Sequence, residues 1–190
     1  MKKLLTGLAL SSLMLGAIPT LAADYVIDKE GAHASINFKI QHLGYSWLTG
    51  RFNDFGGEFS YAADSPGASA ITVNIDPSSI DSNHAERDKH LRGEDFLHVR
   101  EYPQAKFVST SVTETEDGLG IVGDLTLRGV TREIIINAEK IGEGKDPWGG
   151  YRAGFSGTTE LRLKDFGIDY DLGPAAQTVQ MELHIEGVRQ

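Results

Sequence analysis

The sequence predicts an all-β fold, one antiparallel β-barrel of about eight strands with a short helical insertion. Three observations lead there. Apolar and polar residues alternate with a period of two through most of the chain. Turn-forming residues punctuate these runs at short intervals. One segment, Asn83 to Arg92, breaks the alternation and reads as a helix.

The chain opens on Met1-Lys2-Lys3, an apolar stretch from Leu4 to Ile18, and Pro19-Thr20-Leu21-Ala22. A cationic start, a short apolar run and small residues at −3 and −1 form the layout of a secretory signal peptide, cleaved after Ala22. Residues 1–22 are therefore expected to leave, and residues 23–190 to form one exported, periplasmic domain. No other segment is apolar enough to be read as a membrane span.

The first strand signal is Ile36, Phe38 and Ile40 against Asn37, Lys39 and Gln41. His42 continues the parity of the apolar set and should point inward at the strand's end. Gly56-Gly57, between Phe52/Phe55 and Phe59/Tyr61, suggests a bulge or sharp bend. Further alternation runs through Ile71–Ile75, Leu119–Leu127, Phe155–Leu163 and Val179–Ile185; Ile134-Ile135-Ile136 is ambiguous in parity. Breakers fall at Gly44, Gly50, Ser65-Pro66-Gly67, Asp117-Gly118, Arg128-Gly129, Gly142 to Gly144, Gly149-Gly150 and Gly173-Pro174. Gly123, Ala153 and Gly157 put small residues on apolar faces, where they leave volume or mark corners. Asn83-His84-Ala85-Glu86 has the spacing of a capping box, with Asn83 as N-cap and Gly93 as a left-handed stop. So short a helix should cap an open end of the barrel.

Composition excludes several functions. The chain has 190 residues, 18 Lys+Arg, 27 Asp+Glu, a net charge of −9 and no Cys. Disulfide scaffolds, thiolate metal sites and Cys nucleophiles are ruled out. The acidic balance argues against a nucleic-acid surface. There is no Gly-x-Ser-x-Gly turn and no phosphate loop in a strand–turn–helix context. The insertion holds His84, His90 and His98 among carboxylates, but His84 and His90 are six apart, on opposite sides of a helix. The pairs His84–Asp88 and Glu86–His90 at i,i+4 read as ordinary polar partners, so no metal and no cofactor are expected.

Periodicity leaves two outcomes for the interior, filled by side chains or open for one apolar molecule. A resemblance favours the second. Asn37 to Leu48, Asn83 to Arg92, Tyr102 to Phe107, Gly123 to Thr131 and Asp146-Pro147-Trp148-Gly149-Gly150 together resemble the YceI family of bacterial proteins. The resemblance implies a lipocalin-like barrel with an apolar pore, a long amphiphilic ligand such as a polyisoprenoid, isoprenoid quinone or fatty amide, a capacity to form homodimers, and no catalytic activity. The expected lining is then Ile36, Phe38, Ile40, His42, Trp47, Phe107, Leu125, Leu127, Ile136, Phe155, Leu161, Met181 and Leu183. Asn83, His84, Arg87 and Asp88 are the expected headgroup contacts. The alternative is an enzyme acting on such a lipid, with His42 or the His84–Asp88 pair as acid–base groups.

Overall fold

The structure, a computed structural model, describes residues 22–190. The expected leader, up to Leu21, lies outside the described residues. Eleven strands are found among them: β1 (Ala23–Ile27), β2 (Ser35–His42), β3 (Ser46–Phe52), β4 (Phe55–Tyr61), β5 (Ala70–Ile75), β6 (Ile80–Asp81), β7 (Ala105–Thr115), β8 (Gly118–Leu127), β9 (Val130–Lys145), β10 (Tyr151–Arg162) and β11 (Thr178–Arg189). One α-helix, α1 (Ala85–Leu91), interrupts them. Every pairing is antiparallel, and the sheet closes through β1 and β11.

These strands make eight staves, because three staves break midway. β11 pairs with β2 over Gln180–His184 and with β1 over Gly187–Arg189, so β1 and β2 lie end to end along one edge. β3 and β4 follow them as a second broken stave, and β5 and β6 as a third. The second break is at Asn53-Asp54, not at Gly56-Gly57. Phe55, Phe59 and Tyr61 keep one parity and are all buried. Gly57 instead permits close strand packing: a Cβ there would lie 2.1 Å from the Thr72 carbonyl oxygen. The second and third breaks lock together. Asp54 N donates to Ser79 Oγ at 2.9 Å, and Asp76 N donates to the Asp54 carbonyl at 2.9 Å.

Other breakers fall inside strands. Gly50 lies in β3, where a Cβ would strike the Phe38 ring. Gly142 and Gly144 lie in β9, which runs on to Lys145 past a register shift opposite Gly154/Phe155. The helix cap also differs. Asn83 is left-handed at φ 61°, and His84 is the N-cap, its Nδ1 accepting from Arg87 N at 3.2 Å. Gly93 is not left-handed, and Glu94–Leu97 continue as turns. α1 and these turns cover one end of the barrel as expected, with Leu91, Leu97 and Val99 packed on Phe38 and Ile80.

The first break, residues 28–34, is held by ions. Asp28 is buried, and its Oδ2 accepts from Arg152 Nη1 at 2.5 Å. The same nitrogen donates to Glu186 Oε1 at 2.6 Å, and Arg152 Nε donates to Asp146 Oδ2 at 2.9 Å. Gly31 N and His33 Nδ1 complete the surroundings of Asp28. Arg152 therefore ties the β1–β2 break to β10, β11 and the β9–β10 turn.

The Arg152 guanidinium beside Asp28 holds its carboxyl well below the usual carboxylate range. A depressed carboxyl stabilises the fold above its unfolded pKa of about 3.9, and that contribution is lost as pH falls toward the folded value. The urea midpoint of the wild type should hold near neutrality and drop between about pH 4 and about pH 2. Asp28→Asn should start lower and drop less over that window. Parallel curves for the two proteins would show that Asp28 carries no such linkage.

Candidate functional site: an apolar channel with a polar mouth

In this barrel the inward side chains of the eight closed staves do not fill the interior. Two cavities remain, one of about 450 Å³ at the α1 end and one of about 150 Å³ deeper in the barrel. Ile36, Ile75, Leu125, Leu161 and Met181 line both, so the chambers meet at an aliphatic waist. The inner chamber is walled by side chains such as Phe59, Phe107, Ile136, Phe155 and Leu183. Phe59 and Phe155 meet edge to face with centroids 5.6 Å apart, and Tyr61 meets Phe155 at 5.0 Å.

Small inward residues receive rings here more than they leave space. A Cβ on Gly123 would sit 2.5 Å from the Phe107 ring, and one on Gly187 would sit 2.5 Å from the Phe59 ring. The glycines let two large rings lie flat against the wall. Gly157, beside Ile136, does face the inner chamber.

Of the residues expected to line a cavity, Ile36, Phe38, Ile40, His42, Phe107, Leu125, Leu127, Ile136, Phe155, Leu161, Met181 and Leu183 line one chamber or both. Trp47 does not. It pairs with Gln41, opposite in parity to His42, and Lys39 Nζ lies 5.2 Å from its ring centre on the outer face. The residues expected at the headgroup divide. Arg87 lines the outer chamber, with its guanidinium committed to Ser82 Oγ at 2.8 Å and Ser82 O at 2.6 Å. Asp88 is buried and accepts from Ser82 N and Ser82 Oγ. Asn83 and His84 are exposed and line neither chamber. His84 and Asp88 are thus engaged with different partners, and the i,i+4 dyad is not formed. Glu86 and His90 do not pair either, since His90 Nε2 lies 3.3 Å from Asp95 Oδ2.

The polar groups that do converge on the mouth are Gln41, His42, Arg87, His90 and Tyr170. His90, Phe96 and Tyr170 form an aromatic cluster there, with centroids 5.0–5.4 Å apart. His90 belongs to the Asn83–His90 segment expected at the headgroup, whereas Gln41 and Tyr170 are not legible as site residues in the sequence: Gln41 has the outward parity of its strand, and Tyr170 lies in an irregular segment where strand parity says nothing. Among the described residues, Asp28, His33 and Glu186 group closely enough to hold a cation, but Arg152 already occupies that charge.

A family model described as the YceI-like domain matches residues 25–187. A UPF0312 protein of Azotobacter vinelandii is 60% identical over the whole of both chains. Among solved structures, Burkholderia cenocepacia BcnA superposes with a TM-score of 0.73 at 18% identity, covering 84% of this chain and 98% of that one. A polyisoprenoid binding domain from Saccharophagus degradans superposes with a TM-score of 0.64 at 15% identity, covering 87% of this chain and 98% of that one. Both structural matches share the barrel fold. No helix among the described residues is long and apolar enough to cross a membrane.

Leu183 faces the inner chamber while its neighbour Glu182 is exposed on the outer face. An unpaired charge on the dry face costs several kcal/mol, a large share of a typical ~5–15 kcal/mol stability. Leu183→Arg should be strongly destabilised in thermal melts and Glu182→Arg nearly neutral. Equal melting temperatures would mean that the inner wall tolerates charge.

Proposed function

The chain belongs to the YceI-like domain family, and from that premise we propose that it is a periplasmic carrier that binds a long amphiphilic lipid, of polyisoprenoid, isoprenoid-quinone or fatty-amide type. The observation that carries this reading is the channel: two chambers joined by five apolar side chains, with polar groups gathered at the α1 end. The outer chamber has the volume of an ordinary small-molecule site, roughly 300–1,000 Å³. The inner one matches an apolar cavity that stays dry and accepts hydrocarbon. A tail drawn into such walls gains about 25 cal/mol for each Å² of apolar surface removed from water. The headgroup then remains beside His42, Gln41 and Tyr170. The solved polyisoprenoid binding domain of Saccharophagus degradans supports this ligand class through the shared fold. The leader-like start of the sequence supports export to the periplasm.

Protein isolated from its native compartment should yield an isoprenoid-type lipid on extraction, detected by mass spectrometry. Delipidated protein should rebind a long-chain polyprenyl compound. At a hundredfold excess over Kd, binding to the native state contributes about 2.7 kcal/mol. For a domain of this size the midpoint should rise by about 5–11 °C. Ala138→Leu adds bulk to the inner chamber alone, so it should reduce the rise for the longest tails and spare short ones. No extractable lipid, with no rise for any long-chain amphiphile, would defeat the proposal.

A further inference from the structure

We propose that the turn between β2 and β3 docks the mouth of the channel onto the surface of a lipid bilayer. The inference rests on the lipid-carrier reading above for its purpose, but on separate observations for its evidence.

The first observation is a turn built against its own stability. Tyr45 N donates to His42 O at 2.9 Å, and the two residues between them, Leu43 and Gly44, have φ of 53° and 79°. Both residues lie in the left-handed region, inside a three-residue loop between the paired His42 and Ser46, and that region favours Gly, Asn or Asp over leucine. A leucine there is strained, because its Cβ crowds the backbone in the left-handed region. Burial does not offset the strain, since Leu43 is 52% exposed.

The second observation is the company this leucine keeps. Tyr45 is 87% exposed and Trp47 50% exposed, and Tyr170 stands exposed across the mouth. These four are among the nine exposed large apolar side chains of the described residues. Leu43 and Tyr170 also line the outer chamber, so the exposed patch is continuous with the channel wall. The tip is braced as well as exposed, with Gly44 and Leu43 lying against Ala175 and Gly173. Tyr and Trp with a projecting leucine are the side chains that settle at the boundary between water and acyl chains.

Charge selects the kind of surface. Asp169 and Asp171 are exposed beside Tyr170, and the chain carries a net charge of −9. Lys39, whose Nζ lies 5.2 Å from the Trp47 ring centre, is outweighed by these carboxylates and the net negative charge, so an anionic surface gains nothing and the occupant is a zwitterionic bilayer, held by apolar insertion with little dependence on salt.

The chain has two tryptophans, and they report opposite ends. The β2–β3 turn lies by the start of β11, near the Gln180–Lys39 pair, while Trp148 lies in the turn before β10, near the Arg152–Val188 pair. The experiment uses the full chain and phosphatidylcholine vesicles. In Trp148→Phe, the remaining Trp47 emission should shift to the blue on adding vesicles. In Trp47→Phe, the Trp148 emission should stay fixed. Leu43→Asn should weaken partitioning about tenfold, while its melting temperature is unchanged or raised because Asn suits the turn. Admixing phosphatidylglycerol should weaken binding further. Vesicle-induced movement of Trp148 instead of Trp47, absence of partitioning, or full partitioning by a folded Leu43→Asn would each overturn the proposal. Ligand-induced stabilisation measured without vesicles separates the two readings. Tyr45→Ser, at a residue that lines neither chamber, should partition more weakly and retain this stabilisation, and its absence in the wild type would count against the carrier and leave the docking result standing.

Discussion

The fold depends on closing a barrel whose last strand is longer than either strand available to pair with its free edge. β11 runs for 12 residues and carries β2 on its first half and β1 on its last turn. Between them the chain must leave the sheet at residues 28–34 and return in line. An opened barrel would expose a row of unpaired amides beside an apolar interior, a costly arrangement. The Asp28–Arg152 pair answers this demand. Asp28 N bonds to the Glu186 carbonyl while its carboxylate holds Gly31 N and the guanidinium, so backbone and side chain fix the break together. Two further breaks, at Asn53-Asp54 and at residues 76–79, follow in the next two staves and share hydrogen bonds. Ile36 and Ile75 flank the first and third breaks, and both belong to the waist where the chambers meet. The breaks thus set the place where the channel narrows.

A channel in place of a packed core is a question of volume, and the aromatic residues decide where volume goes. Phe107 and Phe59 lie over Gly123 and Gly187, flattened against the wall by the missing side chains. Tyr25 stacks on Phe59 with ring centroids 4.9 Å apart, which fixes that ring further. The rings therefore thicken the wall and do not cross the lumen. The stabilisation comes from burying the wall residues, and two chambers are left inside.

The barrel was legible in the sequence because period-two alternation survives wherever one face is dry and the other wet. Ile36–Phe38–Ile40 and Val179–Met181–Leu183–Ile185 fall on the inner face as their parity requires. Local chemistry misled where tertiary contacts override it. Gly56-Gly57 looked like a bend because glycines break strands, yet Gly57 is there for close approach to Thr72. Asn83 looked like the cap, yet it takes the left-handed turn and leaves capping to His84. Trp47, expected on the lining, pairs with Gln41 and turns its ring to Lys39 on the outer face. The mouth was the least legible part, because Tyr170 and Phe96 belong to irregular segments brought together only by the closed barrel.

Three guanidinium groups, two from the insertion and one from the β8–β9 turn, hold loops at that mouth. Arg92 donates to the carbonyls of Ser78 and Ile80 at 2.6 Å, Arg87 holds Ser82, and Arg128 bridges the carbonyls of Gly167 and Glu94 at 2.7 and 2.9 Å. Guanidinium groups suit this work because their forked donors bind two acceptors in fixed geometry. The polar groups of the outer chamber outside these clamps are Gln41, His42, His90 and Tyr170. A site of that kind discriminates poorly by charge and well by shape. On the carrier reading proposed above, a headgroup would sit among these rings and a tail would reach through the waist into the inner chamber, so that tail length would set affinity through buried area.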